Sequence, residues 1–265
     1  ATVIARIAEF AITVGFLLFV DERIGYRWKR FLAKTDPVIL REFMYTAVPV
    51  IISDGLLTLG NNGLAMIMGR MGREMVAAHT ITNVTVHLSM LFNMGLASTS
   101  SVMTANTVGR GDYDDAMQQG VTFLALSAMI GVLGGALVNI LKPFVVNFYN
   151  VTPETKAIAT QLMTVIAFLM VFQAVQSVMT KGVLRGGGDT RFLMVADVLF
   201  LRILSVPLGY LSAFVWNMPP YMVYFFLRID FIAKSIWCVF RLRSGKWIKK
   251  VQSLDEAAST GSARA

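Results

Sequence analysis

Residues 117–141 read MQQGVTFLALSAMIGVLGGALVNIL, a stretch without one charged side chain. A bilayer core takes about 20 predominantly apolar residues per spanning helix, so this window is long enough to cross it. A strand is a poor reading, because the window is too long and its apolar residues do not alternate with period two. Gly131, Gly134 and Gly135 lie inside it. Glycine is tolerated in a membrane helix where neighbours or a cavity satisfy the backbone, and this spacing reads as close helix packing in preference to a hinge.

Six comparable segments flank this one, at residues 3–20, 44–68 and 77–104 before it and 157–182, 192–216 and 220–241 after it. Mean hydropathy is +0.62, with 55% apolar and 15% charged residues, against roughly 25% charged in soluble domains. The chain is therefore expected to be an all-α integral membrane protein of about seven transmembrane helices, with the lipid bilayer as its main partner. Pro49 and Pro207 fall inside two of the segments. The single cysteine, Cys238, excludes a disulfide framework or a cysteine-based metal site within the chain. The sequence opens at Ala1 and enters an apolar helix almost at once, with no secretory signal, which reads as a fragment.

Basic residues set the expected orientation. Connections on one side hold about 15 Lys and Arg, among them Arg23, Arg41, Arg110, Lys181, Arg185, Arg191, Arg241 and Lys246; the other side holds about 4, Arg70, Arg73, Lys142 and Lys156. The richer side is expected to be cytoplasmic, which places the C-terminus inside. The net charge of +8 is then explained by anionic headgroups and requires no nucleic acid. Tyr26, Trp28 and Trp247 read as interfacial anchors, and residues 23–42 as an amphipathic linker lying in the interface.

Two connections are turns with helix-ending chemistry. Gly109-Arg110-Gly111-Asp112 places an Asp where it can cap the next helix, and Gly182 to Arg191 reads GVLRGGGDTR. The latter is a poor phosphate loop, since it follows a membrane helix and lacks the Gly-Lys-Ser/Thr ending.

That last run resembles the cytoplasmic loop between the tenth and eleventh helices of multidrug and toxic compound extrusion (MATE) transporters. Met75-Val76-Ala77-Ala78-His79, Val108-Gly109-Arg110-Gly111-Asp112 and Pro207-Leu208-Gly209-Tyr210 agree with it. The resemblance runs from the first helix to about Lys250. It implies helices six to twelve of a two-lobe, twelve-helix transporter. Residues 1–22 would be the last helix of an N-terminal lobe not contained in this chain, and 23–42 the cytoplasmic interlobe linker. The six-helix C-terminal lobe would be 43–243, and the cytoplasmic tail 244–265. The implied function is a secondary antiporter in a bacterial inner membrane that exports organic cations or drugs in exchange for Na⁺ or H⁺, with no other cofactor and no enzymatic step. The family's cation coupling is attributed to acids in helices seven and ten. Here the counterpart of the tenth has Gln173 and Gln176 and no carboxylate.

Acids within spans each need a physical reason, because an Asp at a helix centre costs about 2.5 to 3.5 kcal/mol on the insertion scale. Glu9 has Arg6 at i−3, and Asp230 has Lys234 at i+4 with Arg228 nearby, so both read as structural ion pairs. Asp197 reads equally as structural or functional. Asp54 lies mid-helix beside Gly55 with no basic residue within a turn, as an ion-coupling carboxylate would, and Asn61 further along can coordinate Na⁺ or line a cavity. Asp54, Asp197 and Asn61 are accordingly the coupling candidates.

His79, Asn83 and His87 form a polar stripe at every fourth residue, and Gln173, Gln176 and Thr180 form another. These are the candidate substrate-cavity residues. The histidines are two turns apart, too far for a zinc pair, and no metal site is expected. Two rival functions remain: a lipid or polysaccharide flippase of the same superfamily, whose cavity would be strongly basic where this sequence has few intramembrane basic residues, and a seven-helix retinal protein with Lys234 as its buried amine.

Overall fold

The computed structural model describes residues 2–19 and 37–248, mostly helical and without a strand among them. The chain divides into two units, residues 1–45 and 46–265. In the first, α1 spans Thr2–Phe19. Arg6 donates to Glu9 at 2.6 Å on an exposed face, as the i, i+3 spacing predicts. Most of the expected linker, with Tyr26 and Trp28, lies outside the described residues, as does the chain from residue 249. The described end of that linker, from Pro37, is helical and begins α2, Pro37–Arg70.

The second unit starts within α2 and continues through α3 (Arg73–Ser89), α4 (Leu91–Gly109), α5 (Tyr113–Phe148) and α6 (Pro153–Gly186). It ends with α7 (residues 190–215), α8 (Pro220–Leu227) and α9 (Asp230–Arg243). All seven apolar segments are mostly helical where described, the last of them broken at residues 228–229 between α8 and α9. Among the described residues three helices are long and apolar enough to cross a bilayer, and α3 with α4 makes a fourth if counted as one bent span. This is the architecture of an integral membrane protein.

The segment expected to run unbroken over 77–104 bends by 53° at Met90, between α3 and α4. No proline or glycine stands at the bend. Instead Thr82, Thr85 and Ser89 turn their hydroxyls back onto the carbonyls of Ala78, Ile81 and Thr85, at 2.8, 3.2 and 3.0 Å. Such back-bonding competes with the helix ladder and bends it. In α7 the backbone widens into π-helical turns over Val198–Ser205 just before Pro207. Proline has no N–H to give and its ring crowds the carbonyl four residues back, so the wider turn relieves both conflicts.

Close approach of α5 and α6 depends on missing side chains. A Cβ on Gly131 would sit 2.6 Å from Val171 Cα, and one on Gly135 would sit 2.5 Å from the Ala167 carbonyl oxygen. Small residues here let two backbones touch, which is the packing expected of them. Buried apolar side chains form two clusters that divide α6 between them. Leu162, Met163, Ile166 and Met170 join Tyr224 and Leu227 in one; Val178, Met179 and Leu184 join Phe123, Leu242 and Trp247 in the other.

The glycine-rich turn closes α6 in a Schellman arrangement. Gly188, at φ +84°, donates to Arg185 O, and Asp189 N–H donates to Leu184 O, both at 3.1 Å. Thr190 then begins α7. The Asp112 of the other turn occupies an N-cap position, but its side chain makes no capping bond and lies 3.7 Å from Arg110 instead. Trp247 departs from its expected role as an interfacial anchor. It is fully buried, with its ring filling the space that a side chain on Gly187 would occupy.

Candidate functional site

A cavity of about 480 Å³ lies in the second unit, walled by α2, α3, α4, α6, α8 and α9. The bend at Met90 puts Met90, Asn93 and Met94 on its wall beside residues from α3. His79, Asn83 and His87 all line it from α3, Gln173 and Gln176 from α6, and Asn61 from α2. A four-residue repeat on a helix keeps side chains on one face, which is why two sequence stripes converge here.

The lining is hydrogen-bonded only in part. Asn83 Nδ2 lies 2.9 Å from His79 Nε2, and the His79 ring meets Tyr224 edge-on with centroids 5.6 Å apart. The Thr180 hydroxyl donates to the Gln176 carbonyl at 2.8 Å and accepts from Gln176 Nε2 at 3.4 Å. His79 Nδ1, Asn93 Oδ1 and Gln173 Oε1 are buried without a hydrogen-bond partner. Unsatisfied buried polar atoms cost about 1 to 3 kcal/mol each, and these three belong to residues of the cavity wall.

Four charged residues also reach the cavity: Lys181, Arg228, Asp230 and Lys234. Lys181 follows Thr180, the last residue of the α6 stripe, while Arg228 sits at the break between α8 and α9, with no helical pattern to announce it.

Lys234 is buried at 1% side-chain exposure and lies 3.6 Å from Asp230 on its own helix, the pair expected from their spacing. A second carboxylate, Asp197 of α7, approaches it more closely, at 3.0 Å. Asp230 is further held by Ser205, whose hydroxyl donates to Oδ1 at 3.3 Å and accepts from the Asp230 N–H at 3.1 Å. Arg228, expected beside Asp230, makes no salt bridge to a described carboxylate but lies within electrostatic range of Asp230; its guanidinium hydrogen-bonds Tyr224 and covers the Phe231 ring, 5.4 Å from the centroid.

Asp54 overturns the expectation of an unpaired intramembrane acid. Its Oδ1 lies 3.1 Å from an Arg185 guanidinium nitrogen, with 56% and 33% of the two side chains exposed, and it is not among the cavity residues. The partner comes from the glycine-rich end of α6 and is invisible to any reading of neighbours along one helix. At the same turn, Asp189 takes a 2.6 Å bond from Arg241 Nε, and the Arg241 guanidinium covers Phe192 at 4.7 Å. No cluster of His, Cys, Asp and Glu suited to a metal ion occurs among the described residues.

Comparison with known proteins agrees with this geometry. The family model described as MatE matches residues 49–211. Multidrug resistance protein MdtK of Yersinia pseudotuberculosis is 27% identical over 191 residues, covering 71% of this chain and 41% of that protein. The outward-facing conformation of a multidrug resistance MATE family transporter of the MOP superfamily matches at a TM-score of 0.75 with 14% identity, over 90% of this chain and 54% of that one. A MOP superfamily transporter from Pyrococcus furiosus Vc1, for which a reverse polarity of the binding pocket suggests a different function, matches at 0.68 with 20% identity, over 79% and 46%. These structural likenesses show a shared fold. The chain spans about two fifths of the length of the curated relative and about half that of the solved transporters.

Proposed function

The chain belongs to the MatE family, and from this we propose that it supplies part of a secondary active antiporter that exports organic, drug-like compounds in exchange for Na⁺ or H⁺. The observation that carries the reading is the cavity: polar stripes of α3 and α6 face one space of about 480 Å³, with Met68, Met90, Met94 and Phe231 between them. Soft, polarisable side chains around a few polar groups suit varied flat substrates. Organic cations are the expected cargo from the resemblance. The protein would lie in a bacterial inner membrane with its C-terminus cytoplasmic, catalyse no covalent step, and require the remainder of the transporter to move anything.

Among the coupling candidates, Asp197 has the geometry the role needs. It contacts a buried ammonium whose residue lines the cavity, so a change in its charge reaches both α9 and the substrate. Asn61 lines the cavity as a neutral ligand, and Asp54 stands outside it. A lipid or polysaccharide flippase of the same superfamily is the second reading, favoured by Lys181 and Arg228 on the cavity wall. Efflux of fluorescent organic compounds from cells lacking their own exporters, with the full-length protein expressed, tests the proposal. Efflux that stops when the Na⁺ and H⁺ gradients are collapsed supports the antiporter; full efflux without either gradient rejects it.

A further inference from the structure

Charge on the cavity wall is unevenly distributed. Lys181, Arg228 and Lys234 contribute three cationic groups and Asp230 the one carboxylate. That carboxylate is already engaged by Lys234 and Ser205. An organic cation entering from this side meets no unengaged acid among the described lining residues. Arg228 and Lys181, in contrast, form no ion pair with a described carboxylate. Arg228 hydrogen-bonds the Tyr224 hydroxyl and Lys181 is exposed at the end of α6, so neither charge is neutralised by an acid and both remain available to an anionic group in the cavity.

The position of Arg228 adds to this. It stands where the chain leaves α8, at φ −116° and ψ 12°, with the Tyr224 hydroxyl of the preceding turn as a hydrogen-bond partner. Its guanidinium is held over the Phe231 ring at 5.4 Å. A guanidinium lying on an aromatic face keeps its N–H edge available, and that planar edge matches two oxygens of a carboxylate, sulfonate or phosphate.

We propose that the cavity contains an oxyanion subsite, in which Arg228, supported by Lys181, binds the acidic group of an amphiphilic organic substrate while Phe231, Met68 and Met90 contact its apolar body. Gln173, Asn93 and His79, on the same wall, then offer polar groups to the rest of the substrate. This deepens the exporter reading and rests on it: the cargo is an organic anion or a zwitterion, and a simple cation would need its acid from another part of the transporter.

The test uses the full-length protein in nanodiscs of zwitterionic lipid, with fluorescence anisotropy of carboxyfluorescein as the anionic probe and ethidium as the cationic one. Carboxyfluorescein is expected to bind, Arg228→Gln to weaken it by about tenfold or more, and Arg228→Lys to weaken it less, as expected for loss of a charge-assisted contact. Lys181→Gln provides an independent variant should Arg228→Gln not fold. Competition by a short-chain phosphatidic acid but not by free organic carboxylates would assign the oxyanion to a lipid headgroup and overturn a small-molecule cargo. Anion binding unchanged in both variants, or binding of ethidium alone, overturns the subsite. Transport is measured separately: probe binding without gradient-driven movement rejects the exporter and leaves the subsite standing.

Discussion

Arg185 and Asp54, separated by 131 positions, meet at 3.1 Å and tie α2 to the glycine-rich end of α6. Both side chains keep substantial exposure, so the pair acts as a surface tie. Asp54→Asn is predicted to lower stability by only about 0.2 to 1 kcal/mol, the range of exposed ion pairs, and to leave efflux dependent on an ion gradient. Thermal unfolding in detergent and the efflux assay read the two effects.

Lys234 presents the opposite case. Its ammonium is buried between Asp197 and Asp230. Lys234→Met leaves two carboxylates without that partner and is predicted to cost about 3 to 5 kcal/mol, as breaking a buried ion pair does. Combining it with Asp197→Asn should recover part of the loss, and a double-mutant cycle on unfolding temperature measures how much. Additive effects would show that the two side chains do not interact.

The turn at Gly187 depends on having no side chain there. Gly187→Ala would push a Cβ into the Trp247 ring, so the variant is predicted to expose the indole and shift its emission to longer wavelength. The protein has 4 tryptophans, so the shift is read in a background where Trp28, Trp216 and Trp237 are Phe. Trp247→Ala removes a fully buried ring and should cost about 3 to 5 kcal/mol, as for large aromatic-to-alanine changes in a core.

Cys238 is fully buried, and a thiol without access reacts slowly. Maleimide labelling of the folded protein is predicted to be negligible and to become complete in denaturant. Prompt labelling under native conditions would show that α9 is not packed as described.

The helices were legible because length and apolarity are local properties; residues 117–141 identify a membrane helix without help from the rest of the chain. The cavity face was also legible, since His79, Asn83 and His87 repeat with the period of the helix that carries them. Contacts between helices were not. The acid at 54 reads as unpaired because a sequence window sees only four residues to either side, while its arginine arrives from another helix. For the same reason Asp230 was matched to Lys234 and the closer Asp197 was missed. The bend at Met90 carries no proline or glycine; its signal was the run of Thr82, Thr85 and Ser89, whose hydroxyls compete with the ladder. Trp247 follows basic residues as an interfacial anchor would, yet Gly120 and Gly187 leave space that its ring fills.

The most direct measurement follows ion and substrate together in proteoliposomes of the full-length protein. A substrate gradient imposed on one side is expected to drive Na⁺ or H⁺ the other way, with Asp197→Asn abolishing the counterflow and Asp54→Asn preserving it. Substrate movement that proceeds at full rate without movement of either ion would contradict export by antiport.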